Sequence, residues 1–320
     1  MSVKNIFTIE ARPVKGPLIH EWVIYAYALL TLCIVLVCST SYPDPEAMIW
    51  TRVRLITVTL ALWGLYRLVP CPMTMAVRVM AQIVLLGEWY PDTYALNRIL
   101  PNFDPLVAGW EHAVFASQPA ILFSETMPWW WFSELMYLGY GSYYFMSVII
   151  PMLFFFRYYD KFVETTGIVI TSFFLFYLIY VIFPVAGPQY YFQAIGVENA
   201  LAGVFPDVGT HFTTHLECLP LPGDDGPFRA LVQVAHDAGE RPTAAFPSSH
   251  VGIATVLLLL GARYCRMRHS YDVLKWFLPL YILLFFSTVY IKAHYAIDAI
   301  GGLVAGTVFY FILSQLFGKR

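Results

Sequence analysis

Two short segments in the C-terminal third of this 320-residue chain combine a histidine with serine or aspartate. The first segment, FPSSH, ends at His250, and the second, HYAID, runs from His294 to Asp298. An imidazole acts as a nucleophile or base when one ring nitrogen is held by an acceptor and the other is free. Because residues four apart share a helix face, Asp298 is predicted to accept a hydrogen bond from Nδ1 of His294. Such an arrangement would make His294 and His250 a nucleophile and an acid.

The residues around the two histidines are suited to an anion. Ser248 and Ser249 are predicted to begin a helix, where free backbone N–H groups and the helix dipole attract phosphate. Arg241 and Lys292 are predicted to bring positive charge to the same side, and an arginine can bind phosphate through two hydrogen bonds. We therefore expect Arg241, Ser248, Ser249 and Lys292 to bind substrate, and His250, His294 and Asp298 to be catalytic.

A second cluster could indicate a metal site, but the prediction is that there is none. His211 and His215 are four residues apart, with Glu217 and Cys218 close by. No regular helix is evident there, and the five cysteines form no CxxC pair. No metal and no cofactor are predicted.

The composition indicates which class of protein holds these segments. Hydrophobic residues make up 59% of the chain, aromatic residues 18% and charged residues 12%, whereas soluble domains have about 25% charged residues. These values exclude a disordered chain and a nucleic-acid-binding protein with a basic face. They predict an integral membrane protein whose partners are the bilayer and lipids, and they leave the oligomeric state open.

Eight apolar runs are long enough to cross a bilayer, since a spanning helix needs about 20 apolar residues. The second and third are the weakest, because Arg54, Arg67 and Arg78 lie within them or at their edges. Those arginines are expected near the membrane interface or facing protein. The runs are 20–38, 52–70, 72–90, 129–156, 167–184, 246–264, 275–292 and 295–317.

The distribution of lysine and arginine predicts the orientation. The N-terminus lacks the apolar core of a signal peptide, so the first run is expected to be a retained helix. With eight alternating spans, thirteen of the 19 lysines and arginines fall on the side of both termini, including the cluster at 262–269. Both termini are therefore predicted to be cytoplasmic, with the histidines on the other side.

Three regions are predicted along the chain. Residues 1–90 are assigned to N-terminal transmembrane helices, and 91–128 to an amphipathic region lying in the membrane interface. Residues 129–320 are assigned to a transmembrane core that carries the chemistry. This core includes 185–245, a long non-cytoplasmic loop with no clear secondary structure of its own.

The two segments resemble the type-2 phosphatidic acid phosphatase superfamily, whose signature is Lys-x6-Arg-Pro, Pro-Ser-x-His and Ser-Arg-x5-His-x3-Asp. This chain matches at Arg241-Pro242, at Pro247 to His250, and at Ser287, His294 and Asp298. Val234 stands where the signature has Lys, and Thr288 stands where it has Arg. The resemblance implies an all-α polytopic membrane protein, with about eight transmembrane helices around a six-helix bundle core of that family's type.

Within that superfamily, the chain looks most like the inositol phosphorylceramide synthases. The segments that carry this likeness are IFPVAGPQYYF, AAFPSSHVG, STVYIKAHYAIDAIGG and DPLVAGWEHAVFASQP. The resemblance implies that His294 forms a phosphohistidine, that Asp298 orients it, and that His250 is the general acid and base. The implied reaction transfers phosphoinositol from phosphatidylinositol, the phospholipid donor, to a lipid acceptor expected to be ceramide.

Two alternatives remain open. A phosphatase acting on phosphatidic acid, isoprenyl pyrophosphate or phosphatidylinositol phosphate would use the same three residues with water as acceptor. A transporter that relays protons through a His–Asp pair would be favoured by two similar halves with discontinuous helices. No such halves are evident in the sequence.

Overall fold

The computed structural model describes residues 5–318, except for the side chains of 235–238. The described chain is 75% helix and contains no strand beyond one isolated parallel bridge, between Val185 and Ala244. The all-α prediction is confirmed.

Thirteen α-helices follow one another along the described chain, and eight of them have 19 residues or more. The eight long helices are α1, α2, α3, α6, α7, α11, α12 and α13, one for each predicted apolar run. In chain order the helices are α1 (Ile19–Val37), α2 (Pro45–Leu68), α3 (Pro72–Asn97), α4 (Asp104–Phe115), α5 (Pro119–Thr126), α6 (Trp130–Arg157), α7 (Tyr159–Ile182), α8 (Pro188–Ile195), α9 (Val197–Leu201), α10 (Pro227–Gly239), α11 (Ser249–Arg268), α12 (Asp272–Tyr290) and α13 (Ala296–Gly318).

Six of the long helices are long and apolar enough to cross a membrane: α1, α2, α6, α7, α12 and α13. Helices α3 and α11 have the length, with 26 and 20 residues, but carry more charge. Helix α11 ends in a turn that contains two arginines, and α3 contains Arg78, Glu88 and Asp92. The helices are those of an integral membrane protein, and six rather than eight satisfy the criteria for a span.

One predicted boundary and one predicted loop differ from the structure. Helix α3 continues through Pro91 to Asn97, so the predicted boundary at 90 lies inside a helix. The remainder of 91–128 forms α4 and α5. The supposedly irregular stretch 185–245 contains α8, α9 and α10. These helices are short and their sequences are mostly polar or mixed, so a search for long apolar runs does not detect them.

Proline marks where many of these helices begin. A proline occupies the first turn of α2, α3, α4, α5, α8 and α10. The first N–H groups of a helix have no intrahelical partner, so proline loses no hydrogen bond there. The abundance of proline therefore does not prevent an almost entirely helical chain.

The close packing of α11 against α13 sets the distance between the two histidine segments. A side chain at Gly302 would collide with the carbonyl oxygen of Ser248, and one at Gly306 with that of Gly252. Because these glycines have no side chains, the two backbones come into contact two residues before and two residues after His250. The helix beginnings that carry the histidine segments are therefore held side by side.

The three arginines of the weak runs have different surroundings. Arg78 is fully buried and forms an ion pair with Glu21 of α1. Arg54 is exposed and pairs with Glu88, and Arg67 is exposed in the last turn of α2. Arg78 faces protein, as expected.

Candidate active site

His250 and His294 are in direct contact. His250 lies in the first turn of α11, and His294 lies in the turn between α12 and α13, two residues before α13 begins. Nδ1 of His250 is 3.3 Å from Nε2 of His294. The sequence prediction that the two imidazoles meet is consistent with this geometry.

The hydrogen bond that orients His294 differs from the predicted one. Its Nδ1 is 2.8 Å from the carbonyl oxygen of Ala245, whereas the nearest oxygen of Asp298 is 3.6 Å away. The predicted bond from His294 to Asp298 is therefore wrong. The physical reason is that His294 precedes α13, so the i, i+4 spacing of a helix does not apply to this pair.

The carbonyl of Ala245 fixes the tautomer of both rings. A carbonyl only accepts, so Nδ1 of His294 carries the proton and Nε2 presents its lone pair. Since Nε2 of His294 accepts, Nδ1 of His250 is the donor in the contact between the rings. This geometry would allow Nε2 of His294 to act as a nucleophile and His250 as a proton donor, with the backbone carbonyl of Ala245 orienting His294.

Burial also favours the nucleophilic form of His294. The side chain is 3% exposed, and its burial lowers the pKa from 6.5 to about 4, although the hydrogen bond to Ala245 acts in the opposite direction. Low dielectric disfavours the charged imidazolium. The ring is therefore neutral at physiological pH.

Asp298 is fully buried in the first turn of α13. Its Oδ2 accepts a hydrogen bond of 2.8 Å from the backbone N–H of Tyr295. Its Oδ1 has no hydrogen-bond partner within the described part of the chain. The carboxylate thus lies beside His294 without closing on it, and can stabilise a positive charge that develops on the ring.

The two serines have different roles. Ser248 is the N-cap of α11, where its side chain accepts from the N–H of Val251 at 3.3 Å, and it is fully buried. Its own N–H donates to the carbonyl of Asp298, and the N–H of Ser249 donates to the hydroxyl of Tyr180. Because both amides already have protein partners, they are not the free phosphate donors that the sequence suggests. Ser249 does reach the cavity described next.

A small cavity adjoins the two histidines. Its volume is about 20 Å³, room for about one water molecule. Arg241 is the only cation among its lining residues in the described chain, and Glu240 lies beside it and accepts from Nε2 of Gln189 at 3.1 Å. The lining residues are Tyr90, Ala186, Gln189, Glu240, Arg241, Ala244, Ala245, Ser249, His250, Ala293 and His294.

Lys292 is near this cavity in the chain but does not line it. Its backbone is left-handed, with φ of 65°, in the turn between α12 and α13. Burial lowers the pKa of its ammonium, and the nearby carboxylate of Glu125 in α5 opposes that shift. The charge of Lys292 thus interacts with α5 in this structure, and contact between Lys292 and phosphate stays a prediction.

The two residues that stand where the signature has cations carry no charge that could bind phosphate. Val234 is 68% exposed on α10. Thr288 is buried, and its hydroxyl donates to the carbonyl of Phe285 at 2.9 Å. Neither position supplies a substitute charge.

Several groups that build the site were not found from the sequence. The rings of Tyr140 and Tyr143 flank His250, with centroids 4.7 and 4.8 Å from that of the imidazole. Tyr180 accepts from Ser249 and donates to the carbonyl of Pro247 at 2.8 Å, which fixes the turn before α11. Tyrosines at three-residue spacing, as at 137, 140 and 143, would be the only sequence signal, and packing helices show the same pattern.

The second histidine cluster forms no metal site within the described residues, where no group of three or more candidate ligands occurs. The rings of His211 and His215 stack with centroids 4.4 Å apart.

A model of the PAP2 superfamily matches residues 106–312, about two thirds of the chain. The chain belongs to the PAP2 superfamily. The matched range includes both histidines and Asp298, and begins after α1, α2 and α3. Searches of the curated proteins and of the solved structures found no match.

Membership of the PAP2 superfamily indicates an enzyme of the phosphatase or phosphotransferase type that acts on lipids. The site geometry suits that chemistry, because an unprotonated imidazole nitrogen and a proton donor face each other beside a cavity lined by an arginine. Within the PAP2 superfamily signature, this chain retains the two histidines, the aspartate and one of the three cations.

Proposed function

We propose that the protein is a lipid phosphotransferase, which moves the phosphoinositol head group from phosphatidylinositol to ceramide through a phosphohistidine at His294. The identity of donor and acceptor comes from the resemblance to inositol phosphorylceramide synthases. The family membership supports the broader reaction class.

The first step forms a bond between Nε2 of His294 and phosphorus and breaks the bond from phosphorus to the diacylglycerol oxygen. His250 enters this step as the doubly protonated imidazolium and gives one proton to that oxygen, so diacylglycerol leaves as an alcohol and His250 becomes neutral. In the second step His250 removes the proton of the ceramide primary hydroxyl. That oxygen attacks phosphorus, the N–P bond breaks, and His294 returns to its neutral form.

The observation that carries the proposal is the contact of 3.3 Å between the two imidazoles, with the tautomers fixed by Ala245. In-line displacement puts the leaving oxygen on the side of phosphorus opposite to the nucleophile. A bound phosphate must therefore separate the two rings and widen the cavity. Asp298, 3.6 Å from Nδ1, then stabilises the positive charge on the phosphorylated ring.

The charge of the cavity favours a phosphodiester over a phosphate monoester. A monoester carries up to two negative charges at neutral pH, and a diester carries one. Arg241 contributes one positive charge to the cavity, Glu240 lies beside it, and the positions of Val234 and Thr288 contribute none. A site of low positive charge supports a donor such as phosphatidylinositol.

The proposed location of the site is the non-cytoplasmic side of the membrane, with both termini in the cytoplasm. The excess of lysine and arginine on the side of the termini supports this orientation. The substrates would then be drawn from the periplasmic or lumenal leaflet.

The test uses the purified enzyme in detergent with phosphatidylinositol labelled in the head group, with and without ceramide. We expect labelled inositol phosphorylceramide only when ceramide is present. Release of soluble inositol phosphate without ceramide would mean that water is the acceptor. Cleavage of phosphatidic acid or isoprenyl pyrophosphate, with no reaction of phosphatidylinositol, would make the enzyme a phosphatase and overturn the proposal.

A further inference from the structure

Helix α4 presents two buried carboxylates to the segments on either side of His294. Asp104 and Glu111 are seven residues apart, so they share one face of the helix, and both are fully buried. On the other face, Leu106, Trp110 and Val114 are exposed. Burying two carboxylates is costly unless their oxygens are well satisfied. Their hydrogen-bond partners are therefore informative.

Glu111 binds the beginning of α13. Its Oε1 accepts from the N–H of Ala296, and its Oε2 accepts from the N–H of Ile297, both at 2.9 Å. Ala296 is two residues after His294. The carboxylate of one helix thus caps the N-terminus of another and fixes the backbone that follows the nucleophile.

Asp104 binds the segment at 186–187, on the other side of the site from the beginning of α13. Its two oxygens accept from the N–H groups of Ala186 and Gly187, at 2.5 and 2.9 Å. The hydroxyl of Tyr295, the residue after His294, also donates to Asp104 at 2.8 Å. The side chain of Asp104 therefore joins the segment at 186–187 to the side chain of the residue that follows the nucleophile.

The segment that Asp104 binds is hydrogen-bonded to Ala245, the residue whose carbonyl is the acceptor of His294. Val185, which precedes Ala186, accepts from the N–H of Ala245 at 2.9 Å. The carbonyl of Ala245 in turn accepts from Nδ1 of His294 at 2.8 Å. The position of this carbonyl relative to the ring thus depends on Asp104 from one side and on Glu111 from the other.

We propose that Asp104 and Glu111 are positioning residues for the nucleophile, which hold His294 and its backbone acceptor in register through α4. This inference rests on the proposed function, since it assumes that His294 is phosphorylated. The mechanism as the sequence suggests it assigns the orientation of His294 to Asp298 alone. In the structure the acceptor of His294 is the carbonyl of Ala245, and α4, more than 180 residues earlier in the chain, holds the segments around both.

The test variant is Glu111→Gln. An amide keeps the shape of the side chain but accepts with one atom only, so one of the two N–H groups of α13 loses its acceptor. Small displacements of a reacting group cost up to about 100-fold in rate. We expect kcat and the rate of label transfer to His294 to fall about 10- to 100-fold, with KM changed less than about threefold.

The matched control is Glu134→Gln. Glu134 of α6 caps α10 in the same two-pronged way, through the N–H groups of Phe228 and Arg229 at 2.8 and 3.0 Å. This variant removes the same kind of bond at a helix that carries neither histidine. It should lower thermal stability in detergent about as much as Glu111→Gln does, without the loss of kcat.

Tyr295→Phe provides a milder second variant in case Glu111→Gln does not fold. It removes only the hydroxyl that donates to Asp104, and kcat should fall roughly 3- to 10-fold, about the value of one hydrogen bond. An unchanged kcat in the folded variants, or equal losses of kcat in Glu111→Gln and Glu134→Gln, would overturn the inference while the proposed function stands. A wild-type enzyme that turns over without label at His294 would overturn the proposed function and this inference with it.

Discussion

Buried carboxylates have different partners in the N-terminal helices and at the histidine pair. In the N-terminal helices, Arg52 meets both oxygens of Asp92 at 3.0 and 2.9 Å. Arg78 meets both oxygens of Glu21. At the site, Asp298 stays 3.6 Å from His294, and its Oδ1 has no partner in the described chain.

The difference separates a charge that holds helices together from a charge that would take part in the proposed reaction. In a bidentate ion pair, both carboxylate oxygens accept hydrogen bonds from one arginine. Such a pair is rigid, so it fixes how α1, α2 and α3 pack. A carboxylate held just beyond hydrogen-bond distance keeps its charge available for a neighbour that becomes positive during the reaction. The family match, which covers 106–312, includes the second arrangement and excludes the first.

The largest expected effect is the loss of the nucleophile. His294→Ala should lower kcat at least about 10⁴-fold, since removing a nucleophile abolishes the covalent route. The control is Arg78→Met, which lies outside the family match and should keep its activity per folded molecule. Turnover by folded His294→Ala at more than a tenth of the wild-type rate would show that the imidazole pair is not the reacting site.

The second effect concerns stability rather than rate. Arg78→Met leaves the carboxylate of Glu21 buried without its partner, which costs about 3–5 kcal/mol. Replacing both residues, as Glu21→Leu with Arg78→Met, should recover most of that loss, because a hydrophobic pair avoids the cost of burying charge. Thermal unfolding in detergent measures both. A double variant as unstable as the single one would mean that the pair acts through more than charge compensation.

The third effect distinguishes the two possible roles of Asp298. Asp298→Asn should lower kcat about 10- to 100-fold, because the tautomer of His294 remains fixed by Ala245 and only charge stabilisation is lost. A loss near 10⁴-fold is expected where a carboxylate fixes the tautomer, as in the serine protease triad. Steady-state kinetics of the purified variant separates these values. The larger loss would contradict the role that the geometry indicates.

The smallest effect is a displacement of the pH profile. Burial lowers the pKa of His294 to about 4, so the neutral nucleophile is present above that pH and is lost as the pH falls through it. The acidic limb of kcat/KM that belongs to His294 should therefore lie near pH 4. A limb near pH 6.5 would indicate a well-hydrated imidazole and would contradict the burial of the site.

The helices and the meeting of the histidines could be predicted from the sequence, because both follow from local patterns. Eight apolar runs became eight long helices, and the FPSSH and HYAID segments were placed at neighbouring helix starts. The segment α10 and the last turns of α3 were missed, because their apolar residues are too few and too interrupted to form a run of spanning length.

The acceptor of His294 could not be predicted, because it is a backbone carbonyl 49 residues away. Its position depends on contacts between distant segments, such as the bridge of Val185 with Ala244. The same holds for Asp104 and Glu111. Two acids seven residues apart in the otherwise mostly apolar helix α4 are a signal that could have been noticed, but what they bind is decided only by the tertiary structure.

The most direct test of the central claim is to trap the phosphorylated enzyme. Wild-type protein is mixed with phosphatidylinositol labelled at phosphorus, without ceramide, then quenched in alkali and digested for mass spectrometry. The account predicts one alkali-stable label on His294, which disappears with formation of labelled product when ceramide is added. Label on His250 instead, or transfer to ceramide with no labelled histidine at any time, would contradict it.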